Sequence, residues 1–346
     1  MSRKPVSAVS THGGKSGSPM EGIPLWDPIL VHDGQRWLMY ALSTSQQLQQ
    51  DNFFTKDNFI RGFSSHDLRH WSDLGTVLPP GFFGERICAG SLMYEDDRFY
   101  LFGSATMEQL GPDLLDQRIF LATSSDGIRF QLKREFTLEP DPQWYRTGVQ
   151  HPHNGKMMFA WRDPYVFRDP RSRKYYLFIC SGGKRWGTPP KVAVAEAERV
   201  AGPYRLLVPA AEAVCFDDSG DEGVPVWEME RVQVFYRGGK YHMMFSVWEH
   251  FIDPAWKRRI LGKNGRVFQS AVIVLVSDQV TGPYRFDHHT RLVQTPCDKN
   301  IYGALLVSGA SALRPDFVVG WHPDTFSLEV SGDVRLDLQD LRLQVV

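Results

Sequence analysis

The sequence predicts an all-β chain folded as a five-bladed β-propeller with a central active-site pocket. Three observations predict it. A polar or acidic motif, followed by a strand, a turn and an aromatic-rich strand, recurs five times in the 346 residues. The copies are too closely spaced for independent α/β domains and fit about four strands each, the content of one blade. Amphipathic helical periodicity is nearly absent, apart from a short turn expected near Asp113 to Arg118 and the charged segment around Ala255 to Arg259.

The first copy is WDPILVHDGQRWLMYALS from Trp26 and the second is CAGSLMYEDDRFYLFGSA from Cys88. The third, WRDPYVFRDPRSRKYYLFICSG, begins at Trp161, and the fourth, ERVQVFYRGGKYHMMFSV, at Glu230. A degenerate fifth, IYGALLVSGASALRPDFVVGW, begins at Ile301. With Asp27, Ser91, Asp163, Glu230 and Tyr302 as anchors, the intervals are 64, 72, 67 and 72 residues. Within the first four copies a hairpin signal separates two strand-forming runs: Asp33-Gly34, Asp96-Asp97, Arg171 to Arg173, and Gly238-Gly239. Between copies lie SSHDLRHWSDLG from Ser64, SSDGIRF from Ser124, AGPYRLL from Ala201 and TGPYRF from Thr281, which read as the outer strands of each blade. A β-sandwich with long loops is the alternative, but it gives no reason for an acidic motif to open each first hairpin.

Composition narrows the function. Lys and Arg number 39 against 40 Asp and Glu, a net charge of -1, which argues against a nucleic-acid partner. Aromatic residues make up 13%, suited to a β-rich core or a sugar-binding surface. Residues 1–22 are polar and rich in Gly, Ser and Pro, and read as a disordered tail ahead of a single propeller domain over residues 23–346. The tail has no apolar run of signal-peptide length and no stretch is apolar enough to span a membrane, so a soluble, cytoplasmic protein is expected. Cys88, Cys180, Cys215 and Cys297 are scattered and read as free thiols. His151 and His153 lack further ligands at metal spacing and read as loop residues, so neither metal nor cofactor is expected.

In a propeller the starts of the inner strands converge on the axis. Asp27, Asp163 and Glu230 would then meet although they are far apart in sequence. Two carboxylates suffice for glycoside hydrolysis, and a third can stabilise the positive charge that develops on the sugar. Arg162 and Arg231, each beside one of these acids, could keep the cluster ionised and hydrogen-bond sugar hydroxyls. Trp26, Trp161 and Trp248 could stack on a sugar or fill the core.

The ordered set WDP, AGS, WRDPYVFRDPRSRKYYLF, WEMERVQVFYRGGKYHMMF and IYG resembles glycoside hydrolase family 68, the levansucrase and β-fructofuranosidase family, over roughly Leu25 to Val307. The resemblance implies that Asp27 is a nucleophile, Asp163 a transition-state stabiliser and Glu230 the acid/base. It further implies substrate contacts from Glu228 and Tyr302, no cofactor, and a small sugar such as sucrose as partner; Trp26, Ser91, Arg162, Arg231 and Trp248 are the other candidate sugar contacts. Asp169, in the second Asp-Pro of the third copy, reads as a hairpin residue. Where the family places an aromatic and a Ser that hydrogen-bonds the nucleophile, this chain has Cys88 and Ala89. Two other readings stand beside the retaining β-fructosyl glycosidase. One is an inverting glycosidase like those of family 43, acting on arabinan- or xylan-type substrates; the other is a non-catalytic carbohydrate-binding propeller.

Overall fold

The computed structural model describes residues 20–45, 57–107, 114–145, 152–153, 156–158, 160–182, 190–213, 226–254, 270–285, 301–307, 316–337 and 342–345. Five antiparallel-based sheets follow one another along the chain as the five blades of a propeller. Blade 1 holds β1 (Trp26–His32), β2 (Trp37–Ser43), β3 (Phe59–Ser65) and β4 (Ser72–Leu78). Blade 2 holds β5 (Arg86–Glu95), β6 (Arg98–Met107), β7 (Leu114–Ser124), β8 (Gln131–Leu132), β9 (Pro152–His153) and β10 (Lys156–Met158). Blade 3 has β11 (Trp161–Arg168), β12 (Tyr175–Ser181), β13 (Lys191–Ala197), β14 (Arg205–Leu206) and β15 (Ala211–Glu212). Blade 4 has β16 (Glu230–Arg237), β17 (Lys240–Trp248) and β18 (Ser270–Ser277), and blade 5 has β19 (Tyr302–Val307), β20 (Asp316–His322), β21 (Ser327–Asp337) and β22 (Arg342–Val345).

Burial explains the sequence of each strand. The second strands lie between neighbouring blades, so they are apolar on both faces: every residue of WLMYALS in β2 and YYLFICS in β12 is buried. The fourth strand of blade 1, SDLGTVL, meets solvent and starts polar. The core is correspondingly distributed between blades. One cluster joins blades 5, 1 and 2, and others fill the junctions of blades 2 with 3, 3 with 4, and 4 with 5.

Turn chemistry sets the hairpins. Asp33 Oδ1 accepts from the backbone N–H groups of Gln35 and Arg36 at 2.9 and 2.8 Å. Asp96 and Asp97 (φ 48° and 55°) and Gly238 and Gly239 (φ 60° and 83°) supply the paired left-handed residues that a two-residue hairpin needs. Asp169 holds the third hairpin by accepting from Ser172 N at 2.9 Å, and it receives the Tyr241 hydroxyl of blade 4 at 2.8 Å. Ring closure is direct: Leu25 N, just ahead of β1, donates to Phe326 O of blade 5 at 2.7 Å.

Among the described residues blade size departs from the expected four strands, with sheets of four, six, five, three and four strands. The additions are short edge strands, such as β10, which pairs parallel to β7. The turn expected near Asp113 to Arg118 is absent in its described part, because residues 114–118 belong to β7, in which 114–115 pair with β10 and 116–118 with β6. Of the expected tail, Met20–Gly22 form a turn, and residues 1–19 lie outside the described residues, as do Asp113, His151, Cys215, residues 255–259 and Cys297. Among the described residues no helix is long and apolar enough to cross a membrane.

Candidate active site

The inner strand of every blade carries one extra residue at the same register. The pairing slips between Trp26 and Ile29, Cys88 and Gly90, Arg162 and Tyr165, Glu230 and Gln233, and Tyr302 and Leu305. Such a bulge bends the strand and re-aims side chains. The residues at the bulge are Asp27, Ala89, Asp163, Arg231 and Gly303, and all but Ala89 have left-handed φ values, 50°, 54°, 55° and 60°. One residue earlier stand Trp26, Cys88, Arg162, Glu230 and Tyr302. Glu230 and Tyr302 are thus equivalent to Arg162 and Trp26, and the true counterpart of Asp27 and Asp163 in blade 4 is Arg231.

Two arginines tie the acids together. Arg162 Nη2 bonds Glu230 Oε1 at 2.5 Å and also Glu228, its Nε lies 3.8 Å from Asp163 Oδ2, and its Nη1 donates to Gln117 Oε1 at 3.4 Å. Arg231 Nε lies 3.7 Å from Asp27 Oδ1, while its backbone N–H donates to Asp163 Oδ2 at 3.4 Å. The Tyr302 hydroxyl donates to Glu230 Oε2, and the Trp248 ring stacks on Tyr302 at 4.0 Å. Asp27, Asp163 and Glu230 therefore belong to one charge network fed by blades 1, 3 and 4.

Burial sets the protonation of that network. It pushes Asp27 up to about 7, against the pull of Arg231 and the Trp321 hydrogen bond, with the charges of Asp163 and Glu230 pushing the same way. Asp163 is likewise raised, first by burial, and opposed by Arg162 and Arg231. Burial also lifts the Cys88 thiol to about 11, so it is neutral and unreactive near neutral pH.

Support for Asp27 comes from the second strand of blade 5. Trp321 Nε1 donates to Asp27 Oδ1 at 3.0 Å. This contact depends on Gly303: a Cβ there would lie 2.8 Å from Asp27 Oδ1 and 3.0 Å from Trp321 Nε1. Trp321 pairs with Tyr302 as Ser104 pairs with Cys88, Cys180 with Arg162, and Ser246 with Glu230. Each of these second-strand residues reaches the next blade. Ser104 Oγ accepts from Asp163 N at 3.1 Å, the Cys180 thiol receives Val232 N–H, and Ser246 Oγ accepts from Ala304 N at 3.2 Å. Residue 164 is proline and has no N–H, which explains why Ser104 bonds one residue earlier than the others.

Several expected sugar contacts are corrected. Trp26 is 2% exposed, edge-on to Phe326 at 6.0 Å, and belongs to the core under the site. Ser91 Oγ donates to Pro164 O and accepts from Val166 N, both at 2.8 Å, so it pins the bulge of β11 and its one donor is spent there. Arg231 donates to Gly90 O at 2.8 Å and Pro28 O at 2.6 Å, which makes it a buried tie between blades 4, 2 and 1. Trp161 is buried and donates to Leu138 O at 2.9 Å. Glu228, Trp248 and Tyr302 stand beside the acids, and Arg162 is the hub that joins them. Trp321, Gln117 and Gly303 were missed. Only Gly303, inside the IYG motif, had a signal that could have found it.

Beneath Asp163 and Arg231 the axis continues as a cavity of about 300 Å³, walled by inner-strand residues such as Leu30, Leu92, Phe167, Phe235 and Val307. Among the described residues no three His, Cys, Asp or Glu side chains are grouped to hold a metal ion.

The sequence matches the model of glycosyl hydrolases family 43 over residues 17–304. No curated protein sequence matches it. In three dimensions the chain is similar to inulosucrase from Halalkalicoccus jeotgali bound to kestose, at 21% identity and a TM-score of 0.68, covering 99% of this chain and 92% of that one. It is similar to Bacillus subtilis levansucrase at 13% identity and a TM-score of 0.65, covering 95% and 87%. A thermostable family-43 glycoside hydrolase is similar at 16% identity and a TM-score of 0.60, covering 95% of each chain. At these identities the likeness is one of fold.

Proposed function

The chain belongs to glycosyl hydrolases family 43, and within that framework of propeller glycosidases we propose that it releases β-fructosyl units from sucrose or a related fructoside with retention of configuration. The observation that carries this reading is the continuous chain from Asp27 through Arg231, Asp163 and Arg162 to Glu230, in which no link exceeds 3.8 Å. Its motif order resembles that of family 68, and its fold likeness to an inulosucrase bound to kestose supports the same substrate class.

In the first step an Asp27 oxygen attacks the anomeric carbon of the fructosyl ring. The bond from that carbon to the glucosyl oxygen breaks, and Glu230 delivers its proton to the departing oxygen. Asp163, ion-paired with Arg162 and hydrogen-bonded by the Arg231 backbone N–H, faces the positive charge that develops on the ring. Water then attacks the same carbon, the ester to Asp27 breaks, and Glu230 takes the proton of the water. An acceptor sugar in place of water gives fructosyl transfer. Tyr302 and Arg162 keep the Glu230 carboxyl in a fixed orientation through both steps.

A second reading draws on one specific observation. With Asp27 pushed up to about 7, the group has the proton affinity of a general base working near neutral pH, as an inverting glycosidase requires. Incubation with sucrose, with glucose and fructose measured separately, tests the first reading. Equal release is hydrolysis and excess glucose is transfer, whereas no release from sucrose alongside release of arabinose or xylose from their glycans would establish the second.

A further inference from the structure

One buried cation of blade 2, Arg86, has no counter-charge among the described residues. Arg86 opens β5 two residues before Cys88, as Glu228 stands two residues before Glu230, so the two occupy the same level above the acids. Arg86 pairs with Thr106, and Thr106 pairs with Gln117. Residues directly opposite in a ladder share one face, and Gln117 on that face accepts from Arg162 of blade 3. The row Arg86, Thr106, Gln117 therefore looks into the cleft between blades 2 and 3.

The row is buried and under-satisfied. Arg86 is 7% exposed and Gln117 fully buried, and Arg86 Nε and Gln117 Nε2 have no hydrogen-bond partner. Among the described residues no carboxylate pairs with Arg86, whereas Arg162 beside it is balanced by Asp163, Glu228 and Glu230. A buried, unpaired guanidinium is costly and buried polar groups are ordinarily satisfied. Both orphaned groups are donors, so the missing partner is an acceptor, and the unbalanced charge makes it an anion.

We propose that this notch binds an anionic substituent, a phosphate or a carboxylate, on the leaving portion of the substrate. The assignment to the leaving portion rests on the proposed function: the fructosyl ring occupies the acid level, and Glu230 must reach the leaving oxygen from below. The departing sugar then lies at the level of Glu228 and Arg86. Arg86 supplies the charge and Gln117 a neutral donor, while Thr106 fills the row between them.

Calorimetric titration of the wild-type protein with glucose, glucose 6-phosphate and glucuronate tests this without requiring turnover. Charge-assisted bonds predict that at least one anionic sugar binds about tenfold or more tighter than glucose, and that added salt weakens the preference. Which of the two gains identifies phosphate or carboxylate. Arg86→Met should abolish the preference, Arg86→Lys should keep part of it, and Arg86→Met should melt no lower than wild type, because an unpaired buried charge has been removed. Equal binding of all three sugars, or a preference that survives in Arg86→Met, overturns the proposal, and so does a lower melting temperature of Arg86→Met with no anion preference in wild type. Sucrose cleavage is scored separately. Cleavage without anion preference rejects the notch alone, and anion preference without cleavage of any fructoside rejects the fructosyl reading alone.

Discussion

Trp321→Phe removes a single hydrogen bond and leaves a ring in place. In the wild type the indole N–H sits 3.0 Å from Asp27 Oδ1, and the ring stacks on Phe326 at 5.4 Å and meets Tyr302 edge-on at 5.8 Å. Phenylalanine preserves most of that packing. A hydrogen bond to a charged group contributes about 1.5–3 kcal/mol, and each tenfold in proton affinity is about 1.4 kcal/mol. The donor favours the ionised carboxylate, so its loss raises the proton affinity of Asp27. In the proposed mechanism, attack by Asp27 needs the ionised form. The acidic limb of kcat/KM, set near 7 by Asp27 in the wild type, should therefore move up by about one to two pH units. The assay is kcat/KM for sucrose across roughly pH 5 to 10. Adding Ala89→Ser to Trp321→Phe places a hydroxyl at the blade 2 bulge and should draw the limb back down. An unmoved limb with a uniform loss of kcat would refute the reasoning and leave Trp321 a packing residue.

Asp27→Asn should abolish turnover and change stability in a pH-dependent way. Burial raises Asp27 from 3.8 to about 7 in the folded protein, so the folded state holds a proton that the unfolded state has lost between those values, and stability falls as pH rises across that window. The neutral amide escapes this cost: the variant should melt higher than wild type at about pH 8 and equally at about pH 4, and a difference independent of pH would contradict the assignment. Gly303→Ala forces a left-handed alanine, at a cost of about 1–2 kcal/mol, and drives its Cβ between Asp27 and Trp321. A lower melting temperature together with the same upward shift of the acidic limb is expected, whereas a stability loss with an unmoved limb would separate Gly303 from Asp27.

The blades were readable because hairpins announce themselves locally. Asp33-Gly34, Asp96-Asp97 and Gly238-Gly239 lie between strand-forming runs, and the fully apolar β2 and β12 reflect burial on both faces. The bulges were not readable. An extra residue shows only against its partner strand, so Glu230 and Tyr302 were aligned with Asp27 and Asp163 when their true equivalents are Arg162 and Trp26. Arg231 resembles a free cation in sequence, and only the approach of Gly90 and Pro28 carbonyls from other blades reveals it as a tie. Trp321 meets Asp27 across 294 residues, through ring closure that no local spacing encodes. The two missing partners at Ala89 and Cys88 were visible as departures, yet the group that bonds Asp27, Trp321, lay in blade 5 on its other side.

The claim that Asp27 forms a covalent bond to the sugar is tested most directly by mass spectrometry of a stalled intermediate. Glu230→Gln is mixed with an aryl β-fructofuranoside whose leaving group departs without protonation, then quenched in acid and digested. The first step proceeds and the second lacks its base, so the ester should accumulate. The account predicts that the peptide containing Asp27 is heavier by one hexosyl residue, with the modification on Asp27. An unmodified Asp27 peptide, from a variant that still releases the aryl alcohol in the first turnover, would contradict it.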